Sequence, residues 1–312
     1  MTDQIHKTAL TSEEALEVIS KHYKLGKIDY CMFIRRGFND TYLVDTGKQK
    51  FIFRLYLGGK YYIESDDAYR FELNLIEHLH KQGVPVANVV PTLDGELLGV
   101  GESGSGQRSF ALFHYAEGIP LSRDSVTVKQ GYQMGVVLAN LHLAADSFES
   151  EFARYKLDLK YMVEEPLRLI SEGEKCAEPN EGIKRGRYII EKLEPLEPYI
   201  ERIKSIGTDN GKFGIIHADM HLGNIHFRGN EFTVFDFDHC AYGWRAYDLA
   251  ISYGLPKAQR ASMLEGYESR RPLSTEERDS LRDLGNLRNL WDIGDILATQ
   301  NLRPDSNSHD KN

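Results

Sequence analysis

Between Ile215 and Asp238 the chain reads IIHADMHLGNIHFRGNEFTVFDFD, and this stretch constrains the fold more than any other. An apolar pair leads into His217-Ala218-Asp219, and Asn224 follows on the same loop. A β-prone run, Ile225 to Phe227, turns at Arg228-Gly229-Asn230 into a second run, Phe232 to Phe235, which ends on Asp236. Two such runs joined by a Gly/Asn turn read as a hairpin. The hairpin is expected to bring Asp219, Asn224 and Asp236 to one mouth. Two carboxylates and an amide so placed suit phosphoryl transfer from a magnesium nucleotide. One acid accepts the proton of the attacking hydroxyl, while the amide and the other acid offer oxygen to Mg2+. Taken singly these are ordinary polar residues of a surface turn. The ordered set, followed by Tyr247-Asp248-Leu249-Ala250, argues against that reading.

The spacing H-x-D-x-x-x-x-N followed by D-F-D resembles the aminoglycoside phosphotransferase and choline kinase group of the protein-kinase-like superfamily. Its protein-kinase relatives carry H-R-D-x-x-x-x-N and D-F-G at the equivalent places. The resemblance covers most of the chain and is most specific at this segment. It implies an α+β, two-lobed protein-kinase-like fold, with an antiparallel N-lobe sheet and a helix C ahead of a mainly helical C-lobe. The lobes are expected at residues 1–115 and 121–300, with a hinge at 116–120 and a polar tail at 301–312. ATP and Mg2+ are the implied nucleotide and metal.

The same resemblance distributes roles. Asp219 is the expected base, or at least the acceptor that aims the hydroxyl, and Asn224 and Asp236 are the expected metal ligands. His217 resembles the kinase loop histidine that holds backbone, and Asp248 the later aspartate that keeps Asp219 aimed. Asp238 stands where relatives often have another acid, to touch a second metal or a cationic substrate. Arg54 in FIFRLY occupies the place of the kinase strand lysine, and Glu72 resembles the helix-C glutamate that would pair with it. An arginine departs from the protein-kinase pattern, but its planar fork suits phosphate oxygens. The turn RRGFNDTYLV sits where a loop covers phosphates, which brings in Gly37 and Asn39. Adenine contacts are expected along Phe113, His114 and Tyr115.

Periodicity and turn signals supply the rest. Thr11 and Glu14 form a capping box before a helix at 12–23. Strands are expected at 28–34, 41–45 and 51–56, then a helix from Asp66 to Gln82. A hairpin over 92–100 turns at Asp94-Gly95, and GESGSGQR from Gly101 reads as a flexible turn before a strand at 109–115. Helices follow at 126–145, 159–170 and 183–205, the last interrupted by Pro195 and Pro198. His142 reads as a packing or capping residue. After Asp238 the chain is expected to run through Trp244 into helices to about Leu297.

Bulk properties narrow the partners. A length of 312 residues allows two cored lobes, and 41% hydrophobic with 11% aromatic content is that of a globular protein. A net charge of -9 disfavours nucleic acid or an anionic membrane as partner and suits a cationic or neutral substrate. Cys31, Cys176 and Cys240 share no CxxC spacing, so a reducing cytoplasm is expected, and no signal peptide or membrane span is indicated. His217, His221, His226 and His239 sit among hard-cation donors without H-E-x-x-H, which argues against zinc.

The expected activity is ATP-dependent phosphorylation of a hydroxyl on a small molecule: an amino sugar, an amino alcohol or a hydroxy amino acid. A stress-response-type Ser/Thr protein kinase and a nucleotide-binding pseudokinase are the alternatives. The oligomeric state and the acceptor are not encoded in any motif. Asp158, Glu164 and Glu165 suit an amine or equally a solvated helix face.

Overall fold

Thr11 and Glu14 close the capping box in full, the hydroxyl taking the Glu14 amide and the carboxylate taking the Thr11 amide at 2.7 Å. This starts α1 (Ser12–His22) where the sequence places it. The computed structural model describes residues 9–299 apart from 59, 61, 104–105, 176–178 and 210. The polar tail, Cys176 and the centre of the Gly/Ser-rich turn therefore lie outside the described residues. The described chain packs as two compact units. Residues up to Glu77 and Ala87–Tyr115 make the first, and His78–Val86 with Ala116–Ala298 make the second.

The first unit is an antiparallel sheet of β1 (Tyr30–Arg36), β2 (Asn39–Asp45), β3 (Lys50–Tyr56), β4 (Val89–Val90), β5 (Gly99–Ser103) and β6 (Gly106–His114). The order is β1-β2-β3-β6-β4, with β5 also on β6. Side chains alternate between its faces. Tyr42, Val44, Phe51, Phe53, Leu55, Phe110 and Leu112 pack on Ala15 and Ile19 of α1 as one core. The opposite face carries Leu43, Ile52, Phe113 and Arg54, which the strand registers align. Helix α2 (Asp67–Lys81) follows β3 and brings Glu72.

Two local expectations change here. The loop expected over 35–40 shrinks to Gly37-Phe38, because Asp40 is drawn into β2 as a fully buried carboxylate. Arg36 holds it at 2.6 and 2.8 Å, and Arg108 holds it at 2.9 Å. The turn at Asp94-Gly95 forms, but no ladder crosses it, and β5 pairs with β6 instead. Gly99 lies so close to the Phe110 ring that a Cβ would collide with it, so this strand can settle only where it has no side chain.

The second unit begins with β7 (Ile119–Pro120) and α3 (Val128–Ala145), whose cap is a second box, Thr127 with Gln130. Then come β8 (Lys156–Leu157), a π-helical turn at Lys160–Glu164, α4 (Glu165–Gly173), α5 (Glu181–Leu193) and α6 (Glu197–Ile206). Pro195 separates α5 from α6, and Pro198 sits in the first turn of α6, where a missing N–H costs nothing. The hairpin read from the sequence is β10 (Ile225–Arg228) with β11 (Glu231–Val234), and β7 joins its outer edge.

Ala241–Trp244, expected to lead into helix, is a strand. We label it β12, and it pairs antiparallel with β9 (Phe213–Ile216) and parallel with β8. Gly243 admits Ile216 against its backbone, and the Trp244 indole donates to Gly207 O at 3.0 Å. Tertiary contacts override the local pattern there. Helices α7 (Arg245–Leu249), α8 (Lys257–Glu268) and α9 (Thr275–Thr299) complete the unit. Among the described residues no helix is long and apolar enough to cross a membrane.

Helices α3 and α8 meet backbone to backbone. A Cβ on Gly135 would strike Met263 O, one on Gly131 would lie 2.7 Å from Gln259 O, and one on Gly266 would strike Tyr132 O. Gly135→Ala is expected to cost about 2 kcal/mol by overpacking, which is roughly 4–8 °C of Tm. Gly254→Ala, whose Cβ meets nothing within 4 Å, is the control and should leave the Tm near that of the parent. Thermal unfolding of the two variants checks the helix contact.

Candidate active site

The loop between β9 and β10 is shaped by Asp248 of α7. Its buried carboxylate accepts the backbone N–H of His217 at 2.7 Å and of Ala218 at 2.8 Å. Ala218 is held at φ +64, in the left-handed region that a residue with a Cβ enters at a cost of about 1–2 kcal/mol. That backbone reversal sends the next residue, Asp219, out of the core with its side chain 26% exposed.

His217 is fully buried and anchors the loop to the hairpin. Its Nδ1 accepts the Asp219 amide at 3.3 Å, so the proton sits on Nε2, which donates to Phe235 O at 3.0 Å. Burial pushes its pKa down, and the ring is neutral. His142 of α3 works in the same way. Its Nε2 donates to Asp248 at 3.1 Å, its Nδ1 accepts the Tyr267 hydroxyl at 2.8 Å, and burial brings it down to about 4. Burial alone would raise the Asp248 carboxyl. The hydrogen bond from His142, the nearby imidazoles and the His217 amide together hold it below the usual carboxylate range.

Asp219 and Asn224 are joined directly. The Asn224 Nδ2 donates to both Asp219 Oδ2 and Asp219 O, each at 3.0 Å. Both partners are acceptors, so the amide nitrogen must face them, and Oδ1 is turned the other way. Asn224 also takes the Phe235 amide on its backbone oxygen at 3.1 Å, one residue before Asp236. Asp236 itself is at φ +67, a second left-handed residue without glycine, two residues past the end of β11. Asn224 Oδ1 and the Asp236 carboxylate are hard oxygen donors of the kind Mg2+ takes, and the donor set fits that ion better than a soft one.

Asp219 has further partners that the sequence reading does not name. Arg288 of α9 donates to Asp219 Oδ1 at 2.6 Å and to Met220 O at 3.3 Å. His221 Nε2 lies 3.5 Å from Oδ2, while its Nδ1 takes the Gly223 amide. Burial would raise the Asp219 carboxyl, but the His221 contact and the charges of His239 and Arg288 hold it far below its ordinary value. Asp238 is buried, and its carbonyl receives Arg154, as does that of Cys240. One signal for Arg288 exists in the sequence: charged residues recur at 288, 292 and 295 within the otherwise leucine-patterned α9.

On the first unit, Arg54 donates to Glu72 at 2.8 Å, and its guanidinium lies 4.9 Å from the centre of the Phe113 ring. Glu72 is fully buried. Gly37 forms the β1–β2 turn with its amide on Asn39 O, and Asn39, the first residue of β2, is buried. The amides of His114 and Tyr115 donate to Asn88 O and Lys50 O, so an adenine edge would have to meet other backbone groups of this segment.

Comparison with known proteins bears on the family and the fold. The model of the phosphotransferase enzyme family matches residues 32–284. A homoserine kinase of Chelativorans sp. (strain BNC1) is 31% identical over 289 residues, which cover 86% of this chain and 80% of that protein. Among solved structures, the microcompartment-associated aminopropanol kinase superposes with a TM-score of 0.71 at 22% identity, over 91% of this chain and 88% of the other. Amicoumacin kinase in complex with AMP-PNP, Ca2+ and Ami gives 0.68 at 20%, over 96% and 89%. The fold is theirs, and with the family match spanning most of its length, the chain belongs to the phosphotransferase enzyme family.

Proposed function

We propose that the chain transfers the γ-phosphoryl group of Mg·ATP to a hydroxyl of a small amine-bearing molecule. The observation that carries the proposal is the double hydrogen bond from Asn224 to Asp219. It fixes the carboxylate that would receive the acceptor and leaves the amide oxygen for the metal side. The names of the relatives support the acceptor class, since a homoserine kinase and an aminopropanol kinase both act on short amine-bearing alcohols. A cytoplasmic setting goes with the use of ATP.

In the proposed reaction the acceptor oxygen bonds to the γ-phosphorus. The bond from that phosphorus to the bridging oxygen breaks, ADP leaves with the electron pair, and the hydroxyl proton passes to Asp219. A carboxylate held so far below its usual pKa is a weak base. That suffices, because loose phosphoryl transfer develops little positive charge on the hydroxyl before the proton moves. Asp219 therefore acts chiefly by aiming the oxygen. Mg2+, when bound, would neutralise charge on the phosphate oxygens, and Asn224 Oδ1 and the Asp236 carboxylate are the groups that would hold it.

Arg54 is assigned to the nucleotide phosphates, with Glu72 keeping the guanidinium in place. Leu43 and Ile52, half-buried on the same sheet face, offer an apolar shelf for the base. Gly37 and Asn39 at the turn, and Phe113 to Tyr115 along β6, complete the nucleotide assignment. His217 and Asp248 are assigned to loop geometry.

ADP release measured with Mg·ATP and a panel of amino sugars, amino alcohols and hydroxy amino acids tests the proposal directly. Asp219→Asn should lower kcat by about 10²–10⁴-fold while binding of the ATP analogue AMP-PNP persists, and undiminished turnover would remove its role. Asp236→Ala should raise the Mg2+ concentration needed for half-maximal rate, and an unaltered requirement would refute it as a ligand. Arg54→Ala should raise the KM for ATP by about 10- to 100-fold. It should also cost about 3 kcal/mol of stability by breaking the buried Arg54–Glu72 ion pair. Steady-state kinetics and thermal unfolding separate the two effects.

A further inference from the structure

Helix α9 carries a polar stripe that the reaction scheme above does not use. Leu281, Leu284, Leu287 and Leu290 are buried, as the core side of a helix should be. Arg288, Trp291, Asp292 and Asp295 recur at i, i+3, i+4 and i+7, so they share a second face. That face meets the catalytic loop and the segment after Asp236. Arg288 bonds Asp219 and Met220, and the Trp291 ring stands edge-on to His239 at 5.1 Å.

Asp292 sits one turn beyond Arg288, partly buried, and its carboxylate has no hydrogen bond or ion pair among the described residues. Burial and the neighbouring Asp219 push its carboxyl up, against the pull of Arg288, His239 and Arg185. Its negative charge is under-compensated where it stands, and a cation placed there would be held. Arg288 has the opposite surplus. Of the five N–H groups of a guanidinium, the structure commits one to Asp219 and one to Met220, leaving donors for an anion.

We propose that Arg288 and Asp292 form an acceptor subsite for a short hydroxy-α-amino acid, Arg288 taking its carboxylate and Asp292 its ammonium. The spacing agrees with a small zwitterion. Residues four apart on a helix have Cβ atoms about 6 Å apart, and an α-amino acid carries both charges on one carbon. The hydroxyl has to reach Asp219, which Arg288 itself touches, so only a spacer of one or two carbons fits between carboxylate-bearing carbon and oxygen. This deepens the phosphotransferase reading and rests on it.

Calorimetric titration of the full chain loaded with Mg·AMP-PNP tests the subsite with three probes. L-homoserine carries both charges, 3-aminopropanol lacks the carboxylate, and 4-hydroxybutyrate lacks the ammonium. Homoserine is expected to bind about 10- to 100-fold more tightly than either truncated probe. Asp292→Asn should remove the advantage over 4-hydroxybutyrate, and Arg288→Lys should shrink the advantage over 3-aminopropanol. AMP-PNP binding in the same titration reports whether each variant is folded, and the wild-type comparison of probes stands without the variants. Equal binding of the three probes, or no binding of homoserine, would overturn the subsite. A failed kinase reading shows differently, as no Mg·AMP-PNP binding and no ADP release with any hydroxyl compound.

Discussion

One buried carboxylate carries the geometry of the candidate site. Asp248 is sealed from solvent, and a charge in that position is costly unless hydrogen bonds replace its water. Three donors do so: the amides of His217 and Ala218, and the His142 imidazole. Two successive amides converging on one anion form a small nest. Such a nest requires the backbone reversal seen at Ala218, so the anion and the strained residue stabilise each other. Remove the carboxylate and nothing holds Ala218 at positive φ, and the direction of Asp219 goes with it.

The support behind Asp248 reaches across the second unit. His142 belongs to α3 and Tyr267 to α8, and their hydrogen bond exists only because those helices approach at Gly131, Gly135 and Gly266. Arg245 of α7 donates to His142 O at 2.7 Å and so ties the helix carrying Asp248 back to α3. A neutral imidazole suits this network. Protonated on both nitrogens it would have to turn a donor toward the Tyr267 hydroxyl, and burial disfavours that charge. Small residues in two helices therefore act on a loop far away in sequence, through close packing and then through three polar contacts.

What could be read from the sequence is what is local. The β10–β11 hairpin, the first helix cap and the Arg54–Glu72 pair each depend on spacing within one strand, turn or helix, or on a resemblance that fixes the spacing between them. What could not be read is set by partners distant in sequence. Asp40 looks like a turn residue until Arg108, 68 positions on, buries it. Ala241–Trp244 has no strand signal of its own and becomes β12 because two other strands present edges to it. Arg288 lies 69 residues from Asp219. Charges at helical spacing normally mark a solvated face, so the stripe on α9 gains meaning only when its direction is known.

The same distinction separates chemistry from selectivity. The groups assigned to the phosphates and the metal follow one another along the chain, and they address oxygens that every nucleoside triphosphate presents. The groups proposed for the acceptor come from a helix outside that segment, and one of them, the Arg288 guanidinium, addresses Asp219 directly as a cation. Asn224 joins these two tasks. Its amide nitrogen holds the carboxylate proposed to receive the acceptor, while its oxygen is the group that would serve the cation accompanying the nucleotide. A cation drawing on that oxygen polarises the amide and strengthens the N–H bonds on its other side. Under the proposed assignment, occupancy of the nucleotide side would tighten the hold on Asp219, so the acceptor's hydroxyl would be aimed most firmly when there is a phosphate to receive it.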